Sequence, residues 1–281
     1  MSGMVISTNI SSLSAQRHLA SSRAEMEQAM ERLSSGKRIN SAMDDAAGLS
    51  ISHSLDGKIA GLNQAVRNAN DGIAMINVAE GAMEEISSML TRMKELATQA
   101  SNGTYGASDL NAIEDEYDAL TDQINDITDQ TKFNGKLVIG TDTTVDFQLG
   151  DSAADKITVT LLDMNLGDAT LDANFATATG WDGSDLTSIT ATNALTDIDN
   201  AIAAVDSYRS SLGAAANRME HAATNLMSRV EHQSAARSRI QDADYAVESA
   251  NLAKAQVLQQ AGTAMLAQAN ASTSNVVSLL R

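Results

Sequence analysis

The 281-residue sequence contains no proline and no cysteine, and only 3% of its residues are aromatic. Without cysteine the chain cannot form disulfides, attack through a thiolate or bind metal through thiolates. Because proline breaks helix interiors, its absence from so long a chain favours long, uninterrupted helices. Large cores usually draw much of their buried area from aromatic rings. Burial by Leu, Ile, Met and Ala instead suits thin helical packing.

Positive charge is also scarce, since 19 basic residues stand against 36 acidic ones and the formal net charge is −17. Recognition of a nucleic acid backbone needs clustered Lys and Arg, so no nucleic acid partner is expected. The acidic excess is concentrated in residues 141–206, which hold twelve acidic residues and a single base, Lys156. This distribution predicts a solvated middle and near-neutral ends that pack together.

The sequence further lacks a long apolar run and a leader of the secretory type. No stretch reaches the roughly 20 apolar residues that a membrane-spanning helix needs, so no membrane partner is expected. Residues 1–19 have neither a basic segment nor a continuous apolar segment, and a cleaved signal peptide is therefore not expected. Two interpretations stay open: a cytoplasmic protein, and a protein exported by a route that does not use such a signal.

What the sequence does contain is a heptad-like apolar rhythm from Leu55 to Ala97. Its spacing alternates three and four residues, with Glu80 as the polar member, which predicts a coiled-coil seam. At about 1.5 Å per residue this stretch of helix would be roughly 65 Å long. The apolar members are Leu55, Ile59, Leu62, Val66, Ala69, Ile73, Ile76, Met83, Ile86, Leu90, Met93 and Ala97.

The same rhythm returns twice further along the chain. After a glycine-containing break at residues 101–109 it runs from Leu110 to Ile127, and it resumes from Leu195 to Val247. Two interpretations of the polar interruptions in the last stretch stay open: they set the register of the seam, or the seam rotates around the helix there. These interruptions are Arg209, Gln233, Arg237 and Asp244.

Between the helical stretches the period changes to two. Apolar residues alternate with polar ones at residues 145–149 and 157–161, and residues 150–155 suit a loop, so a β-hairpin is predicted. Residues 163–192 are predicted to be irregular, with one more strand as a candidate. The predicted fold class is mainly α, a long antiparallel coiled-coil helical rod with a small central β-hairpin region.

Both ends of the chain are amphipathic, but neither end has a core of its own. Because isolated helices of this kind are marginal in water, we expect them to fold against each other and against neighbouring copies on assembly. The alternative is that they extend the bundle of a stable monomer. The residues predicted to form a coiled coil between the two ends are Ile6, Ile10, Leu13, Leu258, Met265 and Leu266.

No catalytic or metal-binding constellation emerges from the sequence. His221 and His232 each follow a glutamate, but they are eleven residues apart. On a helix this separation is roughly 16 Å, whereas metal–ligand bonds are about 2 Å long. Signatures for a metallopeptidase, a phosphate-binding loop, a dinucleotide site and a calcium loop are all missing. An enzyme is therefore not expected, and no cofactor and no metal are predicted.

The stretch SGKRINSAMDDAAGLSIS, residues 35–52, is interpreted as a structural joint rather than an active site. Ser41 begins an S-x-x-D capping pattern that ends at Asp44, and acidic residues suit the start of a helix. Adjacent carboxylates diverge by about 100° on a helix and cannot share a proton. Two cations on the preceding extended segment are candidates to pair with acids of a neighbouring subunit. The joint residues are Lys37, Arg38, Asn40, Asp44 and Asp45.

Five long motifs occur along the two ends of the chain: LSSGKRINSAMDDAAGLSIS (33–52), ANDGIAMINVAEGAMEE (69–85), LTRMKELATQASNGTY (90–105), RSSLGAAANRMEHAATNL (209–226) and SRIQDADYAVESANLAKAQVLQQAGTAMLAQAN (238–270). Through these motifs the chain closely resembles bacterial flagellin, over roughly residues 1–140 and 193–281. The motifs occur in the same order as in that family, which makes the resemblance specific.

The resemblance implies a short-form flagellin that lacks outer variable domains and self-assembles into the helical filament of the bacterial flagellum for swimming motility. By the same resemblance, residues 1–40 and 245–281 belong to an inner-tube domain. Residues 41–140 and 193–244 supply the helices of a rod domain. Residues 141–192 form the central β-hairpin or variable region.

The resemblance also implies an extracellular protein of the flagellum that leaves the cell through the flagellar export apparatus. Its implied partners are other copies of itself, an export chaperone, the cap and the hook-associated proteins. In some flagellins a vertebrate innate immune receptor reads the first rod helix, and the matching positions here are Arg92, Leu96 and Glu116. Thr91 stands where many recognised members carry glutamine.

Two rival functions are considered beside the filament subunit. A hook–filament junction protein, another flagellar axial protein, shares the terminal character of the chain. The dense match over residues 39–52 argues against it. An enzyme is the second rival, because some flagellins carry a metallopeptidase in the variable region. Residues 141–192 leave no room for one and contain no H-E-x-x-H.

Overall fold

The structure is a computed structural model that describes residues 9–164 and 191–279, with side chains described for residues 9–164 and 195–271. The helices in these ranges are α1 (Ile10–Ser35), α2 (Ala46–Ala100), α3 (Ala107–Gln130), α4 (Ala191–Gln241) and α5 (Tyr245–Leu279). The strands are β1 (Lys132–Phe133), β2 (Lys136–Leu137), β3 (Thr143–Gln148) and β4 (Lys156–Leu161). The mainly α fold class, with long antiparallel helices and a small hairpin region, is confirmed.

The two longest helices, α2 and α4, have 55 and 51 residues. At about 1.5 Å per residue each is roughly 80 Å long. Neither contains a proline, so no residue in them lacks the backbone N–H that the helix ladder uses. Within the described ranges, none of the helices has the apolar length that crossing a bilayer requires.

The chain divides into two compact units. The first combines Met1–Ile59 with His232–Arg281, and the second is Ala60–Glu231. The boundaries predicted from the sequence lie at the helix breaks near residues 40 and 244. The first unit extends further into α2 and α4 because side chains bind the start of α2 to the end of α4. Ser52 donates to Gln241 Oε1 at 2.9 Å, and Arg237 pairs with Asp56 at 2.6 Å.

The core of the second unit lies between α2, α3 and α4. The predicted seams are confirmed there, because the apolar positions spaced three and four residues apart are buried. Fully buried members of α2 include Leu62, Ala69, Met83, Leu90, Met93 and Ala97, and those of α4 include Ile198, Val205, Leu212 and Met219.

The central hairpin is confirmed as well, with β3 antiparallel to β4 and Val145 opposite Val159. One face of the hairpin packs on the helical core. Phe147 of β3 lies so close to Gly72 of α2 that a Cβ at position 72 would be 3.1 Å from Phe147 Cδ1 and 2.7 Å from Met219 Sδ of α4. The other face is polar and carries the pair of Lys156 with Asp146. The additional strand considered for residues 163–192 falls mostly on residues outside the described ranges.

Candidate assembly surface and joint

In the first unit α1 and α5 pair in antiparallel fashion. At one end Asn9 donates to the carbonyl of Ala269 at 3.0 Å, and at the other Arg32 Nη1 contacts Glu248 Oε1 at 3.0 Å. The carboxylate of Glu248 is buried, so the pair with Arg32 is a desolvated contact inside the helix interface. Polar contacts therefore define both ends of this helix pair.

The seam of the pair is built mainly from small and polar residues. They follow the spacing of three and four residues in both helices, and no large aliphatic side chain in this seam is fully buried. The buried or half-buried members are Ser12, Ala15, Leu19, Ser22, Met26, Ala29 and Leu33 in α1, and Glu248, Leu252, Ala255, Gln259, Gly262, Leu266 and Ala269 in α5.

Four of the residues predicted for this coiled coil lie off its seam in the subunit. Leu266 lies on the seam, but Ile10 is 70% exposed, Leu13 63%, Leu258 42% and Met265 64%. These side chains project from the flanks of the pair because the neighbouring serine and alanine stripe allows the two backbones to approach more closely. Ile6 lies outside the described residues.

Three of the displaced residues line a groove beside the helix pair. Ile10, Leu258 and Met265 line it together with His18 and with small side chains of α1. The volume of the groove is about 700 Å³. Glycine at position 262 forms part of the wall, and a Cβ there would meet Leu19 at 3.2 Å. The groove thus combines large apolar side chains with serines of α1, His18 and Glu25.

The joint begins at Gly36, which ends α1 in the left-handed conformation with φ of 69°. A short antiparallel contact then ties the segment to the end of α4: Arg38 N–H donates to the Gln241 carbonyl at 2.7 Å and Ala243 N–H to the Gly36 carbonyl at 3.0 Å. The Arg38 guanidinium donates to the Ile240 carbonyl at 2.6 Å. A cation on the last carbonyls of a helix is favourable because of the helix dipole.

Asp44 organises the turn that follows. Its Oδ2 accepts the N–H groups of Asn40 and Ser41 at 3.1 and 2.9 Å, and Gln28 of α1 donates to its Oδ1 at 3.1 Å. The hydrogen bond from the Ser41 backbone, followed by that from Asn40, holds the pKa of Asp44 below its usual value. The carboxylate therefore links α1 to the turn in its ionised form.

The cap of α2 differs from the predicted one. The sequence pattern gave this role to Ser41, but α2 begins at Ala46 and Asp45 Oδ1 accepts from the Gly48 N–H at 2.8 Å. Ser41 instead donates its hydroxyl to Asp44 at 3.1 Å. Asp44 and Asp45 thus have separate roles, one in the turn and one at the helix start.

Lys37 lies at the start of this segment, and its backbone forms an isolated antiparallel β-bridge with the backbone of Asp242. The five predicted joint residues are thus brought together within one segment, residues 37–45. Gly48 and Gln241 were missed by the sequence reasoning. No local sequence pattern identifies Gly48, because its close neighbours Asp45 Oδ2 and Ile39 Cδ1 are defined only by the fold.

The three positions that the resemblance assigned to an immune receptor lie together on α2 and α3. Arg92 contacts Glu116 at 2.8 Å and Glu95 at 2.9 Å, and all three side chains are exposed. Hydrogen bonds to Glu95 and then to Glu116 raise the pKa of Arg92. Leu96, in contrast, is only 2% exposed and belongs to the core.

Over residues 9–164 and 195–271, no group of three or more His, Asp or Glu residues has the arrangement of a metal site.

The chain matches known proteins along nearly its full length. The bacterial flagellin N-terminal helical region matches residues 6–143, and the bacterial flagellin C-terminal helical region matches residues 195–280. Flagellin of Bacillus subtilis (strain 168) is 42% identical over 305 residues, covering 99% of this chain and 100% of the relative. Flagellin of Halalkalibacterium halodurans is 42% identical over 279 residues, covering 99% and 100%. The crystal structure of Bacillus cereus flagellin aligns with a TM-score of 0.49 at 31% identity, covering 57% of this chain and 88% of that one.

Long paired helices with exposed apolar flanks define a structural, self-assembling class of protein. The chain belongs to the bacterial flagellin family. It is a structural subunit that polymerises with copies of itself into the extracellular helical filament of the flagellum, and it is not an enzyme. Nothing in these matches favours the hook–filament junction protein.

Proposed function

We propose that the flanks of the α1–α5 pair are the surface through which subunits join in the inner tube of the filament. The observation that carries the proposal is the outward position of Ile10, Leu13, Leu258 and Met265, which remain 42–70% exposed in the folded pair. Burial of one such side chain contributes about 1.5–3 kcal/mol. Contacts that repeat along a helical polymer add this gain to every subunit.

In this proposal residues 1–40 and 245–281 form the inner-tube domain, and residues 41–140 and 193–244 form the rod domain around the central region, 141–192. The joint residues connect the inner-tube domain to the rod domain. Arg38, Asp44 and Asp45 already have partners within the subunit. Their role is therefore to hold the segment in one conformation, and Lys37 is the cation that remains for a neighbouring copy's acids.

Growth of filaments from seeds tests the assembly surface. Ile10→Ser and Met265→Ser are expected to leave the circular dichroism of the monomer unchanged and to raise the critical concentration about tenfold or more, since about 1.4 kcal/mol corresponds to a factor of ten. Gln268→Ser is the matched control on an exposed polar position of α5, and it should grow as the parent does. Parental growth of both apolar variants would contradict the proposal.

We also propose that the two ends fold fully only on assembly, because their seam buries little apolar area. Limited proteolysis of dilute monomer should then remove both ends well before the second unit is cleaved, whereas filaments should resist. Equal resistance of both ends in dilute monomer would favour the alternative, a stable extension of the bundle.

Family membership supports three further kinds of partner: an export chaperone, the cap and the hook-associated proteins. Export through the flagellar apparatus without a cleaved signal peptide belongs to the same proposal. The intact mass of subunits from secreted filaments tests it, since a cleaved leader would lower that mass.

For an innate immune receptor, the exposed groups available are Arg92 and Glu116, because Leu96 is buried. Arg92→Ala should weaken activation of receptor-expressing cells while the monomer melts normally. Thr91→Ser is the control on the neighbouring exposed position. Unchanged activation by Arg92→Ala would remove this surface from consideration.

A further inference from the structure

The seam between α2 and α4 in the second unit is repetitive. Its buried side chains are mostly Ala, Leu, Ile, Val and Met, spaced three and four residues apart. A slip of α4 by seven residues, about 10 Å along the axis, would again place apolar residues against apolar residues. Apolar burial alone therefore discriminates weakly between registers.

An ion pair lies at the edge of this seam. Arg209 of α4 donates to Glu80 Oε1 of α2 through Nε at 2.9 Å and through Nη2 at 2.7 Å. The two side chains are 31% and 40% exposed, so water screens them only in part. Glu80 also raises the pKa of Arg209. Both residues are polar interruptions of the apolar rhythm, and the structure brings the two interruptions into contact.

A slip of seven residues would separate this pair in either direction. In one slip Arg209 would lie level with Ile73 and Glu80 with Ile202; in the other, Glu80 would lie level with Ala216. All three of these apolar residues are half-buried and pack against the core. The Glu80 carboxylate, 40% exposed in the native register, would then face an apolar side chain without its cation and lose part of its hydration, which disfavours the slipped register.

We infer that Glu80 and Arg209 are positioning residues that allow a single register of α2 against α4 in the subunit. An apolar pair at these positions would stabilise the seam as well or better, but it would not select the register. Because each copy in a helical polymer must present the same surface, a slipped copy would not add to the filament. The pair therefore secures the uniformity of the subunits.

A second ion pair between the same helices provides the internal contrast. Lys94 pairs with Asp199, but their side chains are 45% and 55% exposed, and exposed pairs contribute little. One of the two slips would bring Lys94 level with Asp206, another acid. This pair therefore does not select the register, and its positions can carry a reporter.

The absence of cysteine from the chain makes thiol cross-linking specific. K94C with D199C reports the native register. S87C with D199C, and K94C with D206C, report the two slips. The reagent is a bifunctional thiol cross-linker too short to span the additional 10 Å or so that a heptad slip introduces. Each reporter is introduced into the parent, into E80L/R209L and into the charge swap E80R/R209E.

In the parent the cross-link between positions 94 and 199 should dominate, with the two slipped cross-links at trace level. In E80L/R209L the slipped cross-links should increase at least tenfold while the melting temperature stays equal or rises, and incorporation into seeded filaments should fall. The charge swap should restore the single native cross-link and incorporation. If E80L/R209L cross-links only at 94 and 199 and is incorporated like the parent, the inference is overturned. If that variant does not fold, the charge swap decides, since slipped cross-links in it would equally overturn the inference.

Discussion

The start of α2 leaves no space for a side chain at Gly48, so Gly48→Ala tests the geometry of the joint. A Cβ at this position would lie 2.4 Å from Asp45 Oδ2 and 2.6 Å from Ile39 Cδ1. Ile39 is fully buried and Asp45 is the cap of the helix. An added Cβ is therefore accommodated only if the Asp45 carboxylate shifts and the buried Ile39 side chain repacks.

Three contributions decide the magnitude. Replacement of glycine by alanine in a helix gains up to about 1 kcal/mol. Overpacking against Ile39 costs about 1–3 kcal/mol, and loss of the Asp45 cap costs about 1 kcal/mol. The cost exceeds the gain, so Gly48→Ala should destabilise the joint and the start of α2 by about 1–3 kcal/mol.

Gly57→Ala is the matched control, because this exposed glycine also lies in α2 and a Cβ there would meet nothing within 4 Å. Thermal melts of the monomer followed by circular dichroism compare the two variants. Gly57→Ala should melt slightly above the parent and Gly48→Ala several degrees below it, at about 2–4 °C per kcal/mol. If Gly48→Ala melted as high as Gly57→Ala, the steric reasoning would be refuted.

Three further predictions concern other buried or hydrogen-bonded groups. Gly72→Ala should lower the urea midpoint of the second unit by the equivalent of about 0–2 kcal/mol, because overpacking against Met219 Sδ, 2.7 Å from the added Cβ, costs about 1–3 kcal/mol and the helix gains about 1 kcal/mol, and adding Met219→Leu should recover part of the loss. Asp44→Asn should destabilise the monomer at neutral pH and have no effect in strong acid: the folded pKa lies below 3.8, so the parent's advantage is lost as the pH falls through that folded value. Urea midpoints measured against pH should therefore converge at low pH. Burial raises the pKa of Tyr208 to about 12 from 10.0. The phenol therefore ionises first in the unfolded chain, and the parent loses stability as the pH rises through that interval. Tyr208→Phe should lose less stability over the same pH interval, measured by urea midpoints.

The long helices and the central hairpin could be predicted because their signals are local and repeat many times. In α2 the apolar spacing from Leu62 to Ala97 fixes both the helix and its buried face, whatever the partner is. The alternation around Val145 and Val159 does the same for a strand pair. One misplaced residue changes little in a pattern with ten members.

The terminal seam could not be predicted in the same way. Its helices carry two stripes each, one of small and polar residues and one of large apolar residues, and hydrophobicity alone selects the second. The structure pairs the first stripe, where Ser12, Ser22 and Gly262 allow close approach of the backbones. The cap of α2 was missed for a related reason: Ser41 and Asp45 both suit a helix start, and the hydrogen bonds of Asp44 decide between them.

This arrangement has a consequence for how folding and polymerisation share free energy. In the second unit the large side chains, such as Leu90 and Met93, are fully buried within one subunit, so its stability does not require a neighbour. In the α1–α5 pair the large side chains, such as Ile10 and Met265, face outward, and their burial can come only from another molecule. Ordering a helix costs conformational entropy whether or not its apolar face is covered. The subunit therefore gains most from its terminal helices at the moment when neighbours cover them, which favours a filament over isolated copies without strengthening the isolated pair.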